Sequence, residues 1–171
     1  MKNRAVPRIL LSIGLLAFRY PGHAQEAVLV VRHAEKVSDT DERLTDAGRA
    51  RARSLAKMLK DAGVSAIYAT DTERARDTAK PLADALGLKL TRYDTGGGMR
   101  GPADARPFVA MLAKEHAKDV VLVVGHTNTI PDLLKALGCP GDLKIAPDEY
   151  DNLFVVVPRP SGPATLMRLR Y

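Results

Sequence analysis

The chain has one cysteine, no tryptophan and few aromatic residues among its 171 positions. A single cysteine, Cys139, excludes an intrachain disulfide. Aromatic residues make up only 5% of the chain, which leaves few surfaces on which nucleic-acid bases could stack. The formal charge of +6 is also local, because residues 1–24 hold four basic residues and no acidic one, and the remainder has 22 basic against 20 acidic residues. We therefore predict no nucleic-acid partner.

The first 24 residues follow the order of an export signal. A basic segment, Met1–Arg8, precedes the apolar run Ile9–Phe18, which is too short to cross a membrane. Gly22 and Ala24 place small residues at the two positions that a signal peptidase reads. We predict a signal peptide over 1–24, a single domain over 25–171, and a periplasmic or secreted protein with no stable membrane anchor after cleavage. The alternative is an N-terminal helix that stays with the domain.

Strand and helix patterns alternate along the rest of the chain, which predicts an α/β layered fold. The predicted strands cover 27–31, 64–69, 88–93, 119–124, 153–157 and 164–169, and the predicted helices cover 46–62, 72–86, 107–117 and 130–137. Residues 119–124 (DVVLVV) form an unbroken apolar run, as is typical of a central parallel strand. Pro81 predicts a bend or interruption in the second helix. We expect a three-layer sandwich with a mostly parallel central sheet flanked by helices.

Polar residues follow three of the predicted strands. Arg32 and His33 come after the first strand, Arg74 lies in the first helical turn after the second, and His126 follows the fourth with Thr127 and Asn128 behind it. Ligands of open α/β sheets bind outside the carboxyl ends of the strands. The sequence therefore predicts two histidines and two arginines in one pocket.

These four side chains suit phosphoryl transfer. Guanidinium groups match the oxygens of a phosphate, and a neutral imidazole is a competent nucleophile toward phosphorus. A second imidazole, if protonated, can stabilise the equatorial oxygens of the transition state. Metal binding is the competing interpretation, but no third protein ligand accompanies His33 and His126, and the arginines would repel a divalent cation. We predict no metal and no cofactor.

Four segments together carry a family resemblance: Arg32–Glu35, Leu44–Gly48, Ile67–Ala79 and Val123–His126. In this order they resemble the Arg-His-Gly motif, the following helix start, the segment of the second arginine and the second histidine motif of the histidine phosphatase superfamily, whose members are phosphoglycerate mutase-like. Ala34 replaces the usual glycine. The resemblance implies a phosphoglycerate mutase-like fold in a small exported protein.

The resemblance implies a role for each matching residue. His33 would be the phosphorylated nucleophile, and Arg32, Arg74 and His126 would complete the phosphate site, with Thr127 or Asn128 as additional donors. Relatives often carry a glutamate after the third strand as proton donor, and here that region, residues 93–99, contains none. Asp94 is the first candidate for the general acid and Glu35 the second. Lys36 either extends the pocket or faces water, and we expect it to face water.

The predicted activity is hydrolysis of a small phosphomonoester through a phosphohistidine. Three alternatives remain open: a phosphoglycerate mutase, a signalling phosphatase that acts on phosphohistidine in a partner protein, and a phosphate binder without catalysis. The sequence does not name the leaving group, because the rim of the pocket lies in irregular loops.

Overall fold

A computed structural model describes residues 26–94 and 104–171. The predicted signal peptide, residues 1–24, therefore lies outside the described residues. The strands are β1 (Ala27–Arg32), β2 (Val64–Ala69), β3 (Leu90–Arg92), β4 (Val120–Gly125), β5 (Asn152–Val157) and β6 (Thr165–Arg170). The helices are α1 (Asp46–Leu59), α2 (Glu73–Leu86), α3 (Arg106–Glu115) and α4 (Ile130–Ala136). All ten predicted elements are present.

One six-stranded sheet organises the chain, in the order β3-β2-β4-β1-β5-β6. Strands β1 to β4 pair in parallel, whereas β5 is antiparallel to both β1 and β6. The predicted mostly parallel sheet is confirmed, with a single reversed strand. Because β1 and β4 are central neighbours, Arg32 pairs with Gly125 at their carboxyl ends.

Helices cover both faces of the sheet. Alternate residues of β1 point to opposite sides. Leu29 and Val31 join the core that includes α1 and α2. Val28 and Val30 join the core that includes α3 and α4. The predicted three-layer sandwich is therefore confirmed.

Pro81 does not interrupt α2, although an interruption was one of the two outcomes predicted for it. The helix runs from Glu73 to Leu86 with Pro81 inside it. The neighbours Ala79, Leu82 and Ala83 are buried in the core beneath the sheet, and this burial holds the helix in place across the missing backbone donor. Among the described residues, no helix is long and apolar enough to span a membrane.

Candidate active site

The carboxyl ends of β1, β2 and β4 surround a cavity of about 220 Å³. We call it the arginine–histidine cavity, and its lining residues are Arg32, His33, Lys36, Asp39, Arg74, His126, Thr127 and Asn128. The predicted convergence of two histidines and two arginines is confirmed, and Thr127 and Asn128 lie beside them. Lys36 belongs to the lining, with only 19% of its side chain exposed, so the expectation that it faces water is wrong.

Backbone carbonyls hold both the main chain and the ring of His33. The backbone N–H of His33 donates to the carbonyl of Gly125 at 2.9 Å, which continues the β1–β4 pairing past the end of the strand. Its Nδ1 donates to the carbonyl of Ala34 at 2.8 Å, which leaves Nε2 as the nitrogen with a free electron pair. Burial, reinforced by the charges of Arg74, Arg32 and Lys36, lowers the pKa of His33 to about 4. The imidazole is thus neutral and nucleophilic at neutral pH.

His126 lies next to His33, with 5.1 Å between the ring centroids. Its Nε2 shares a 2.7 Å hydrogen bond with the hydroxyl of Thr70, and its backbone N–H donates to the hydroxyl of Thr129. Burial first, then His33 and the nearby cations, lowers the pKa of His126 to about 3. His126 is therefore neutral here, and its buried Nδ1 has no hydrogen-bond partner among the described residues.

Arg32 is held by a loop that the sequence analysis did not connect with the site. One guanidinium nitrogen donates to the carbonyls of Ala146, Pro147 and Glu149 at 2.8 to 3.2 Å. The ring of Tyr150 stacks 3.9 Å from the guanidinium carbon. Burial lowers the pKa of Arg32, although a guanidinium remains charged in a protein. The buried Nε of Arg32 has no partner among the described residues, so a donor remains for an anion.

Arg74 enters from the first turn of α2, as predicted. Its guanidinium pairs with the carboxylate of Glu42, which also accepts a 3.0 Å hydrogen bond from the backbone N–H of Glu73. Glu42 therefore fixes both the arginine and the helix end that carries it. Three cations and two neutral imidazoles line the cavity, an arrangement that favours a tetrahedral oxyanion.

Comparison with known proteins gives a family match for part of the chain. The family model "Histidine phosphatase superfamily (branch 1)" matches residues 23–95, a segment that contains Arg32, His33 and Arg74. Over this segment, the chain matches the histidine phosphatase superfamily. The α/β fold, with helices on both faces of a mixed sheet, is also found in solved structures of phosphohistidine phosphatases of the SixA type.

Three matches show the extent of the similarity. A probable phosphoglycerate mutase of Yersinia enterocolitica, GpmB, is 35% identical over 100 residues, which are 52% of this chain and 45% of the relative. The chain thus spans about half the length of this curated relative. The structure of the protein histidine phosphatase SixA complexed with tungstate has a TM-score of 0.67 at 21% identity, covering 84% of this chain and 96% of SixA. A mycobacterial glucosyl-3-phosphoglycerate phosphatase has a TM-score of 0.57 at 20% identity, covering 77% and 89% of the two chains.

Thr78 joins the two halves of the site. The side chain is fully buried one turn after Arg74 on α2. Its hydroxyl accepts a 2.8 Å hydrogen bond from the N–H of Ala34 and donates at 2.7 Å to the carbonyl of Arg74. Because Ala34 also receives the hydrogen bond from the His33 ring, Thr78 fixes His33 relative to Arg74.

We expect Thr78→Val to lower kcat about 10-fold or more on a phosphomonoester while KM changes less, because the valine keeps the shape but frees the loop that orients His33. Thr78→Ser is the matched control, since it retains the hydroxyl and should stay within about 3-fold of the unmodified chain. Steady-state kinetics on both variants measure this. Equal losses of kcat in Thr78→Val and Thr78→Ser would show that the shape of the threonine, and not its hydrogen bonds, matters at this position.

The two predicted candidates for the general acid lie in different surroundings. Glu35 faces away from the cavity, and its carboxylate accepts hydrogen bonds from Arg51 at 2.6 and 2.9 Å. Burial acts to raise the pKa of Glu35, but the bonds and charge of Arg51 outweigh it, and the pKa lies below its usual range. Asp94 follows Tyr93 beyond β3 with an exposed side chain, and it is not among the described residues that line the cavity. Its role as general acid stays a prediction.

Glycine is required where α1 meets the loop after His33. A Cβ on Gly48 would lie 2.2 Å from the carbonyl oxygen of Glu35, a distance that no real contact allows. That same carbonyl accepts a 2.9 Å hydrogen bond from the N–H of Thr45, the residue that caps α1. The start of α1 is therefore locked against the loop that carries His33.

A second cavity lies between α1 and α2 and is larger, at about 550 Å³. Its lining alternates basic residues such as Arg53 and Lys80 with acidic ones such as Asp77 and Asp84, and Lys80 pairs with Asp84. Its lining contains no histidine, and its four basic residues are nearly balanced by three acidic ones. We therefore place the chemistry in the arginine–histidine cavity. Among residues 26–94 and 104–171, no group of three His, Cys, Asp or Glu side chains could hold a metal ion.

Proposed function

We propose that this chain is an exported phosphomonoester phosphatase that works through a phosphohistidine at His33 and needs no metal. The observation that carries the proposal is the convergence of Arg32, His33, Arg74 and His126 on one cavity. His33 presents Nε2 as a nucleophile, because its Nδ1 is committed to the Ala34 carbonyl. Export is proposed from residues 1–24 alone, and the partner is a small phosphorylated molecule rather than a nucleic acid.

The reaction proceeds in two displacements at phosphorus. His33 Nε2 attacks, the bond between phosphorus and the ester oxygen breaks, and the alcohol leaves after taking a proton. Arg32 and Arg74 hold the phosphoryl oxygens, and His126 donates to one of them from its neutral ring. Water then attacks phosphorus, the bond to Nε2 breaks, and inorganic phosphate leaves with His33 restored to its neutral form.

In this proposal, the positive charge of the cavity lining makes the reaction independent of a metal ion. Three cationic side chains line the cavity against one carboxylate, Asp39, so a divalent cation would be repelled. The arginines supply the charge stabilisation that a metal ion supplies in other phosphatases.

We expect phosphate release from phosphomonoesters to be unchanged, within about 2-fold, when a chelator such as EDTA is present. The measurement is a screen of the full chain on aryl, sugar and nucleotide monophosphates, each assayed with and without EDTA. Activity that vanished with EDTA and returned with a divalent cation would contradict the metal-free mechanism.

A second candidate function is removal of phosphate from phosphohistidine in a partner protein. The favouring observation is the structural similarity to the protein histidine phosphatase SixA, 96% of which is covered by the match. A phosphohistidine-bearing protein belongs in the same screen, as does 3-phosphoglycerate with its isomer assayed. Turnover of the phosphoprotein alone would favour the second candidate, and isomerisation without phosphate release would indicate a mutase.

A further inference from the structure

All 20 acidic residues of the chain lie within residues 26–94 and 104–171, so the structure describes every carboxyl group that a side chain can supply. Only one of them, Asp39, is among the residues that line the arginine–histidine cavity. Glu35 is engaged by Arg51, and Glu42 is engaged by Arg74. The leaving alcohol needs a proton, and Asp94, the first candidate for the general acid, is exposed beyond β3 and outside the lining.

The other groups of the lining are poor proton donors. Arg32 and Arg74 cannot be deprotonated in a protein. His126 is neutral, and a neutral imidazole releases its proton only at very high pH. Asp39 is exposed and accepts a 2.5 Å hydrogen bond from Lys36, which lowers its pKa and keeps it ionised. The remaining acid is the ammonium group of Lys36 itself.

Backbone pairing fixes Lys36 at the cavity wall. It forms an antiparallel bridge with Leu44, and the next residue, Val37, donates its N–H to the carbonyl of Arg43 at 2.9 Å. The charge of Lys36 acts on both His33 and His126, lowering the pKa of each. The ammonium therefore lies within electrostatic reach of the nucleophile.

We propose that Lys36 is the proton donor to the leaving oxygen, with Asp39 orienting its ammonium group. This inference rests on the proposed phosphatase function. As the bond from phosphorus to the ester oxygen breaks, the oxygen takes a proton from Nζ, which becomes a neutral amine. In the second displacement the amine takes a proton from the attacking water, and phosphate leaves with the ammonium restored. The cycle consumes one ester and one water and releases one alcohol and one phosphate.

Lysine suits this task because lysine ammonium groups keep a proton at neutral pH, whereas a carboxyl group among these cations would lose it. Phosphoryl transfer has a loose transition state with charge on the leaving oxygen. An alkoxide needs protonation at that stage, but a nitrophenolate leaves without it. The role of Lys36 should therefore depend on the leaving group.

The test compares kcat/KM for glycerol phosphate and for 4-nitrophenyl phosphate in the full chain and its Lys36 variants. The value of kcat/KM reflects only the steps up to departure of the leaving group, so the rate of phosphohistidine hydrolysis does not affect it. We expect Lys36→Met to lose at least about 20-fold more of its kcat/KM on glycerol phosphate than on 4-nitrophenyl phosphate, because the lost charge weakens both reactions and the lost acid weakens only the first. Lys36→Arg keeps the cation but not the acid, so its loss should fall on glycerol phosphate alone.

Other outcomes overturn the inference. Recovery of glycerol phosphate hydrolysis in Lys36→Arg, or equal losses on both substrates in Lys36→Met, would reduce Lys36 to an anion-binding charge. A leaving-group-dependent loss in Asp39→Asn that exceeded the loss in Lys36→Met would make Asp39 the donor. An unmodified chain that hydrolyses neither substrate would instead remove the proposed function, which separates the two failures.

Discussion

Replacing His33 by alanine is expected to abolish phosphomonoester hydrolysis, with a fall in kcat of at least about 10³-fold. The reason is geometric, since Nε2 of His33 is the nucleophile that the surrounding backbone orients, and no second nucleophile replaces it. His126 cannot substitute, because its Nε2 is engaged by Thr70. Phosphate binding should survive in the variant, since Arg32 and Arg74 remain.

The measurement combines kinetics with trapping of the intermediate. Rapid quenching of the unmodified chain should give an acid-labile, base-stable phosphoenzyme on Nε2 of His33, and His33→Ala should give none. His116→Gln is the matched control, because that histidine bonds Tyr68 and Asp119 away from the cavity and should leave kcat within about 3-fold. Full activity in His33→Ala would eliminate the phosphohistidine mechanism and, with it, the proposed function.

The fold could be predicted because its elements carry strong periodic signals. Residues 121–124 are all buried, as central parallel strands are, and the helices place apolar residues at helical spacing toward the sheet. The third strand, predicted over 88–93, is observed only over Leu90–Arg92, half of the predicted length. The N–H of Leu88 bonds to the carbonyl of Ala83, so this residue completes the end of α2 instead of starting the strand.

The candidate site was predictable only where topology alone brings residues together. Arg32, His33, Arg74 and His126 follow strand ends, and parallel strands place those ends at one edge. The sequence also indicates Thr78, because this residue lies one helical turn after Arg74 on the same face of α2. The loop from Ala146 to Tyr150 had none, since it contacts Arg32 from more than 110 positions away. The inward position of Lys36 likewise follows from its bridge with Leu44, a pairing that no sequence period indicates.

The two cavity histidines should make the fold sensitive to mild acid. The pKa of His33 is lowered to about 4 and that of His126 to about 3, against about 6.5 in an unfolded chain. Below pH 6.5 the unfolded chain therefore binds protons that the folded chain does not, and the free energy of unfolding decreases as the pH falls. We expect a loss of about 2 to 4 kcal/mol between pH 7 and pH 5, from both histidines together. Carboxylates with lowered pKa values, such as Glu35, contribute mainly below this range, because they titrate near pH 4 when unfolded.

Urea unfolding of the full chain at pH 7 and pH 5 measures this loss directly. The double variant His33→Asn, His126→Asn supplies the control, since it removes both titrating rings while keeping polar side chains of similar width. Its unfolding free energy should change by less than about 1 kcal/mol over the same range. A free energy of unfolding that stayed constant in the unmodified chain would mean that the imidazoles protonate freely in the folded state. In that case His33 would be half charged near pH 6.5, and the neutral nucleophile on which the mechanism depends would be lost in mild acid.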